Sequence, residues 1–389
     1  MINIYSHTWR EPIIRALADG PKRWAELCST LREIEGDAPG DGYINTELRS
    51  LQELGLLERR QVKGTHRRVY ALTPAGEKVY AAVSKAVGND DSDAGGSTDA
   101  DRTLDEARQD SAKGLSMDEL EARALLIDTT TPHPARRYNY LLGGKDNFAV
   151  DRESGDQIER VFPGVRISVL EGRRYLQRVV KFLAGEAGID QFLDIGTGLP
   201  TADNTHEVAQ RINPSSRVVY VDNDPMVMTH SRALLTSTPE GRSYYLEEDL
   251  RNPDRIINHP DVQAVIDFDK PVALMLVAVL HFIRDDAEAY SVVSYLKEQL
   301  PQGSYVAISH LSVDTFPPDM AAFHHRQAEE GKTDAFARTR QQFFHFFDDL
   351  KLVEPGIVVA SDWRSTVPLD ERPRHQDVAG YGAVGFKDR

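Results

Sequence analysis

Three carboxylates and a pair of glycines, spread over residues 194–249, are the part of this chain best suited to hold a ligand. Asp194 closes the apolar run that begins at Phe192, and Gly196 and Gly198 follow with Thr197 between them. That order suits a buried parallel strand turning sharply over a nucleotide-like ligand. The two glycines lack a Cβ, so the backbone can take positive φ and pass close to what it binds. A dinucleotide fingerprint would put a third glycine at position 201, where this chain has Thr201.

Asp222 ends the run Val218-Val219-Tyr220-Val221, with Asn223 beside it. A carboxylate there can accept hydrogen bonds from both hydroxyls of a ribose. Asp249 follows the next run, where a carboxylate can accept from an adenine amino group while Leu250 packs on the ring. A lone acid at a strand end is most often just solvated. Three in order at these spacings are the arrangement of an S-adenosylmethionine (SAM) site, and SAM has no pyrophosphate to demand the third glycine. An NAD-dependent oxidoreductase is opposed by Thr201 and by the Asp249 segment.

SAM brings its own electrophile, so the protein must align a nucleophile and, where needed, take its proton. His281, in Leu280-His281-Phe282-Ile283, is the candidate for that role, since an imidazole can deprotonate a hydroxyl, thiol or amine. The plainer reading is a buried, hydrogen-bonded structural histidine. His310 is a second candidate. His324, His325 and the run Phe343-Phe344-His345-Phe346-Phe347 are candidates for a substrate cover, in which some aromatics pack while others line a pocket. Residues 131–152 crowd glycines, aromatics and charges ahead of the first strand, which suits a lid. Arg136, Arg137 or Lys145 would pair with the methionine carboxylate, and Tyr138 or Tyr140 would turn a ring face to the sulfonium. The alternative is a helix and turn with solvated basic residues.

The elements around these residues alternate strictly. Strands at 192–195, 217–222, 243–247, 272–277 and 304–308 are separated by helices near 204–211, 225–235, 253–257 and 287–300, with further helices at 117–126, 151–160 and 169–184. That order predicts a doubly wound α/β sheet. Leu350–Val359 and Ala379–Phe386 read as two strands suited to a final antiparallel pair at one edge. Residues 131–152, with Phe192–Thr201 and Tyr220–Pro225, resemble a family of actinobacterial SAM-dependent methyltransferases. The resemblance runs from about Asp128 to the C-terminus. It implies the Rossmann-like class I methyltransferase fold and brings no particular acceptor with it, so a small-molecule methyl acceptor is the expectation.

The first 85 residues pattern differently. Three helices, with stripes at Ile13-Ile14-Leu17, Trp24-Leu27-Leu31 and Ile44-Leu48-Leu51-Leu54, precede strand-like segments at 57–62 and 67–72, and Thr73-Pro74-Ala75-Gly76 opens a last helix. These features predict a winged helix-turn-helix. The segments 15–27, 48–59 and 70–76 resemble the HxlR family of winged-helix regulators, whose members bind DNA as dimers. That resemblance would place Asn45, Thr46, Arg49 and Ser50 in the major groove and Arg59, Arg60, Lys63, Arg67 and Arg68 on phosphates. A wing that only dimerises and completes a pocket is the other reading. A regulator that uses the methyltransferase fold to sense SAM is the other reading for the whole chain.

Size and charge agree with this division. The 389 residues carry a net charge of −15, yet residues 1–87 hold 13 Lys and Arg against 11 Asp and Glu, a net of +2 that leaves −17 for the rest. The expected division is a winged helix over 1–87, an acidic linker over 88–114 and a methyltransferase domain over 115–389. No apolar run is long enough to cross a bilayer, and no export signal opens the chain. Cys28 is the only cysteine, which excludes an intrachain disulfide or a cysteine-based metal site. A cytoplasmic homodimer is the expectation.

Overall fold

A computed structural model describes residues 10–35, 44, 48, 51–52, 56–62, 68–78, 80, 127–201, 203–227 and 237–388. The chain divides between Asp128 and Thr129 into two compact units. Asn45, Thr46, Arg49, Ser50, Lys63, Arg67, the segment 88–114, the helix expected at 117–126 and most of the one expected at 225–235 lie outside the described residues.

In the first unit, helices Arg10–Ala18 and Trp24–Glu35 precede strands β1 (Leu57–Gln61) and β2 (Arg68–Leu72). The strands pair antiparallel, and Lys22 adds a short third line of pairing against Tyr70. Ile44, Leu48 and Leu51 are helical and buried with Ile13, Leu17, Leu27 and Leu31, so the three apolar stripes form one core. Cys28 lies in that core. Gly76 explains the Thr-Pro-Ala-Gly segment: a Cβ there would fall 1.9 Å from the Leu56 carbonyl oxygen, and Thr73 accepts the Gly76 N–H at 3.1 Å.

The second unit is built on β3 (Gln191–Ile195), β4 (Arg217–Asp222), β5 (Arg242–Glu247), β6 (Ala273–Val277), β7 (Tyr305–Leu311), β8 (Lys351–Leu352), β9 (Val358–Val359) and β10 (Gly380–Phe386). Their order is β5-β4-β3-β6-β7-β10-β8, with β9 also on β10. β3 to β7 are parallel, and β10 runs antiparallel between β7 and the short strands β8 and β9. The single strand expected over 350–359 is two short ones. Pro355 has no N–H to give a ladder and Gly356 sits at φ +77°, so the chain turns there instead of continuing.

Both faces of the sheet are covered, as its continuous apolar strands require. Leu193, Val219, Leu274 and Val306 pack on one side with Ala289, Val292 and Leu296 of the helix Asp286–Gln299. Phe192, Val218, Met275 and Ala307 pack on the other with Leu176, Val179 and Leu183 of the helix Val165–Gly185. Tyr175 fixes that helix to the sheet. Its buried hydroxyl lies 2.7 Å from the Ala383 carbonyl and 3.0 Å from that of Ile308, and its ring occupies the space above Gly382, where a Cβ would be 2.6 Å away. Among the described residues no helix is long and apolar enough to cross a membrane.

Tyr175→Phe keeps the ring and deletes the one donor serving two buried carbonyls. It is expected to cost about 1–3 kcal/mol, read as a lower urea midpoint with an unchanged slope.

Candidate active site

The turn after β3 brings three strand ends together. Gly196 and Gly198 take φ +75° and +68°. The N–H of Gly196 donates to Val221 O at 2.8 Å and that of Thr197 to the same oxygen at 3.3 Å, while Gly198 N–H donates to Asp222 Oδ2 at 2.8 Å. On the other side Val279 closes on the turn: a Cβ at Gly196 would stand 2.3 Å from its Cγ2, whereas one at Gly198 would meet nothing within 4 Å. Val279 follows Ala278, whose φ of +57° is held by hydrogen bonds from its N–H to the backbone and side-chain oxygens of Ser309.

Each acid has its own surroundings. Asp194 is buried and accepts from Thr205 Oγ1 at 2.6 Å; burial pushes its carboxyl up to about 6 against the pull of that bond and of Arg173. Asp222 accepts from Gly198 and Asp224 N–H groups, and burial raises it too. Asp249 is gripped by Arg251 through Nε at 2.9 Å and Nη2 at 2.6 Å, with Asn223 Nδ2 donating at 3.2 Å. Burial works to raise it, and these donors outweigh that and hold it below the usual range. Leu250 is buried in the core cluster with Ile256 and Ile257.

The upstream segment is anchored by a fourth acid that sequence reasoning passed over. Asp224 is buried beside His133 Nδ1 at 3.1 Å and Arg136 Nε at 3.2 Å, and these two overcome its desolvation to hold it at about 2. Asp151 accepts the N–H groups of His133 and Phe148 and lies 3.9 Å from Arg136 Nη1. Arg136, expected to pair with a ligand carboxylate, faces two protein carboxylates. Arg137 donates to Asp334 at 2.6 Å. Tyr140, expected to turn a ring face to the sulfonium, has its hydroxyl 2.7 Å from Asp156 and its ring under the Arg166 guanidinium. Lys145 is exposed.

His281 sits in the turn Leu280–Phe282 beyond β6. Its Nδ1 is shielded without a hydrogen-bond partner, and burial, with His310, Arg338 and Arg137 nearby, keeps the ring neutral. His310 Nδ1 lies 2.7 Å from the Leu311 carbonyl and so carries the proton, while Nε2 accepts from Arg338 Nη1 at 2.9 Å. Both nitrogens of His310 are thus engaged. Arg338, which the sequence did not single out, donates to the carbonyls of Leu280 and Ile283 at 3.2 and 3.0 Å and to Asp286 at 2.9 Å, clamping the turn that bears His281. Of the aromatic run, Phe343, Phe346 and Phe347 are core residues and Phe344 is exposed. His324 Nε2 lies 2.9 Å from the Ala335 carbonyl.

The strand order, with its reversal between β3 and β6 and the antiparallel β10, is that of a class I methyltransferase. The S-adenosyl methyltransferase family model matches residues 121–388, and the HxlR-like helix-turn-helix model matches residues 4–88. The chain belongs to the S-adenosyl methyltransferase family. A DUF574-family protein from Streptomyces avermitilis is 43% identical over 67% of this chain and 99% of its own, with a TM-score of 0.63. A candidate methyltransferase from Thermobifida fusca is 44% identical over 67% of this chain and 97% of its own, with a TM-score of 0.62. Among curated proteins no sequence matches this chain. The methyltransferase is SAM-dependent, and its residues fit that cofactor: the turn at Gly196 and Gly198 admits a close approach, and Arg173 Nε, His133 Nε2 and His281 Nδ1 are shielded polar atoms without hydrogen-bond partners.

On the helix-turn-helix unit, Arg59 and Arg60 are exposed on β1 and Arg68 is exposed at the start of β2. Arg59 stacks over Tyr70 at 5.6 Å, and Arg60 lies 3.6 Å from Glu58.

Asp194 gives a test of the site's electrostatics. Its folded carboxyl titrates at about 6 against an ordinary 3.8, so it favours folding at low pH, and that contribution is lost as pH rises through this window. Asp194→Asn cannot ionise. It is expected to be more stable than the parent at neutral pH, by up to about 3 kcal/mol, with the difference vanishing below about pH 4. Urea titrations at the two pH values check it.

Proposed function

We propose that the second unit methylates a small-molecule acceptor, with SAM held by Asp194, the 196–198 turn, Asp222 with Asn223, and Asp249. The observation that carries this reading is the glycine turn closing on Asp222 and Val279 at the carboxyl ends of β3, β4 and β6. When bound, SAM supplies a methyl group on a positive sulfur, open to in-line displacement. Asp222 receives one backbone N–H on each oxygen, so each keeps acceptor capacity for a ribose hydroxyl. Asp249 already receives Arg251 and Asn223 donors on both oxygens, so it would accept from an adenine amino group by exchanging one of them. His281 is a neutral imidazole whose shielded Nδ1 has no hydrogen-bond partner, two residues from the contact between Val279 and Gly196. Burial weakens it as a base, so its contribution is to accept a hydrogen bond from the acceptor's O–H or N–H and aim the lone pair.

Metabolite pools incubated with methyl-labelled SAM should yield a labelled small molecule. His281→Asn should lower the turnover about 10- to 100-fold while SAM affinity, read by calorimetry, stays within twofold. Label appearing only in macromolecules would sink the small-molecule reading.

A second reading is favoured by the exposed Arg59, Arg60 and Arg68 on the hairpin: the helix-turn-helix unit docks on DNA, and the methyltransferase fold reports SAM to it. Asn45, Thr46 and Arg49 would then read base edges, and the hairpin cations with Lys63 and Arg67 would meet phosphates. DNA affinity of the full chain should fall with salt at a log–log slope of about −0.9 per phosphate contact, and Arg68→Ala should reduce that slope by about one unit for every sequence alike. Fluorescence anisotropy across a salt series measures both.

A further inference from the structure

The carboxylate at the methionine end of SAM needs a cation, and two of the three candidates in the upstream segment face protein carboxylates. Arg136 lies against Asp224 and Asp151, Arg137 donates to Asp334 and Ser154, and Lys145 is exposed. Arg173 stands differently. It projects from the middle of the helix Val165–Gly185, which covers the sheet face opposite the one bearing Leu193 and Ile195, the face to which Asp194 belongs by alternation. Its Nη2 makes only two long contacts, 3.4 Å each, to the Asp203 carbonyl and to Asn204 Oδ1. Its Nε is shielded from solvent and has no hydrogen-bond partner.

The surroundings define what would complete it. Asp203 and Asn204 come a few residues after the glycine turn and lead into the helix Thr205–Ile212. Asp194, whose carboxyl feels the Arg173 charge, already accepts from Thr205 and is pushed toward its neutral form by burial, so it is a poor counter-ion. One residue before Arg173, Gly172 lies under the Tyr138 hydroxyl, which donates to the Val169 carbonyl and seats the upstream segment on this helix. The guanidinium thus stands where the upstream segment, the turn and the long helix meet. Arg173 is half-buried, and a guanidinium whose Nε is shielded and whose acceptors are weak is best completed by an anion, its planar fork matching a carboxylate.

We infer that Arg173 binds the α-carboxylate of the methionine portion of SAM. The inference rests on the cofactor reading of the site and adds to it the residue that distinguishes SAM from analogues lacking that group. Decarboxylated SAM keeps the adenosine, sulfonium and amine, so the two ligands isolate one contact. Calorimetry should show the parent protein preferring SAM over decarboxylated SAM by about 10- to 100-fold, the range of a charge-assisted pair. In Arg173→Met that preference should collapse to within about threefold, with affinity for decarboxylated SAM kept. Arg173→Lys should restore part of it, and it carries the comparison if the methionine variant does not fold. A parent protein that fails to distinguish the ligands, or a variant that loses both equally, overturns the assignment. A parent that binds neither ligand removes the cofactor reading, and the Arg173 assignment with it.

Discussion

The approach of Gly196 to Val279 leaves room for a hydrogen atom and nothing larger, and the site depends on that fit. Because the turn can lie so low, its N–H groups reach Val221 and Asp222 at the end of β4 while its other side rests on the residues after β6. Three strand ends are therefore held in one register by a single left-handed turn. The neighbouring Ala278 pays a left-handed φ of its own for the same reason, and Ser309 holds it there with two acceptors. The strain at Ala278 is tolerated because these bonds to β7 over-determine it, whereas Gly196 takes its positive φ without a Cβ to strain.

Around this turn the protein spends buried charge on position. Arg338 and Asp224 are almost wholly buried, and each faces several groups at once. Pairs of this kind contribute little net stability, since desolvation offsets much of the attraction. What they do supply is a fixed geometry. Arg338 holds the carbonyls of Leu280 and Ile283, which sets where His281 can point, and it fixes His310 in one tautomer. Asp224 holds His133 and Arg136, which sets where the upstream segment lies against the end of β4.

Much of this was legible beforehand because parallel strands buried on both faces leave continuous apolar runs, and β3, β4, β6 and β7 do. Glycines at 196 and 198 announced a turn with positive φ, and it is there. The sequence was less informative where a residue's role depends on a partner far along the chain. The contacts of Arg136 with Asp224 and of Tyr140 with Asp156 are of this kind. Arg338 lies 57 residues beyond His281 and nothing local marks it as the clamp on that turn. Arg173 looks like any cation on an amphipathic helix until the shielding of its Nε is seen. The split of 350–359 into two strands was written in Pro355 and Gly356, a local signal that the apolar run around it concealed.

The placement of β10 has a consequence for how the protein is made. Residues 380–386 form no edge: they lie between β7 and the short strands β8 and β9, and they carry the carbonyl of Ala383 to which Tyr175 is anchored. During synthesis the sheet must wait with one side of β7 unpaired until residues 380–386 have been made, exposing apolar surface and free backbone groups over the last part of translation. A premature stop before this strand would leave β8 and β9 without their partner and the long helix without its anchor. Such a chain would be a target for chaperones and proteases, although every residue proposed to hold the cofactor would already be present.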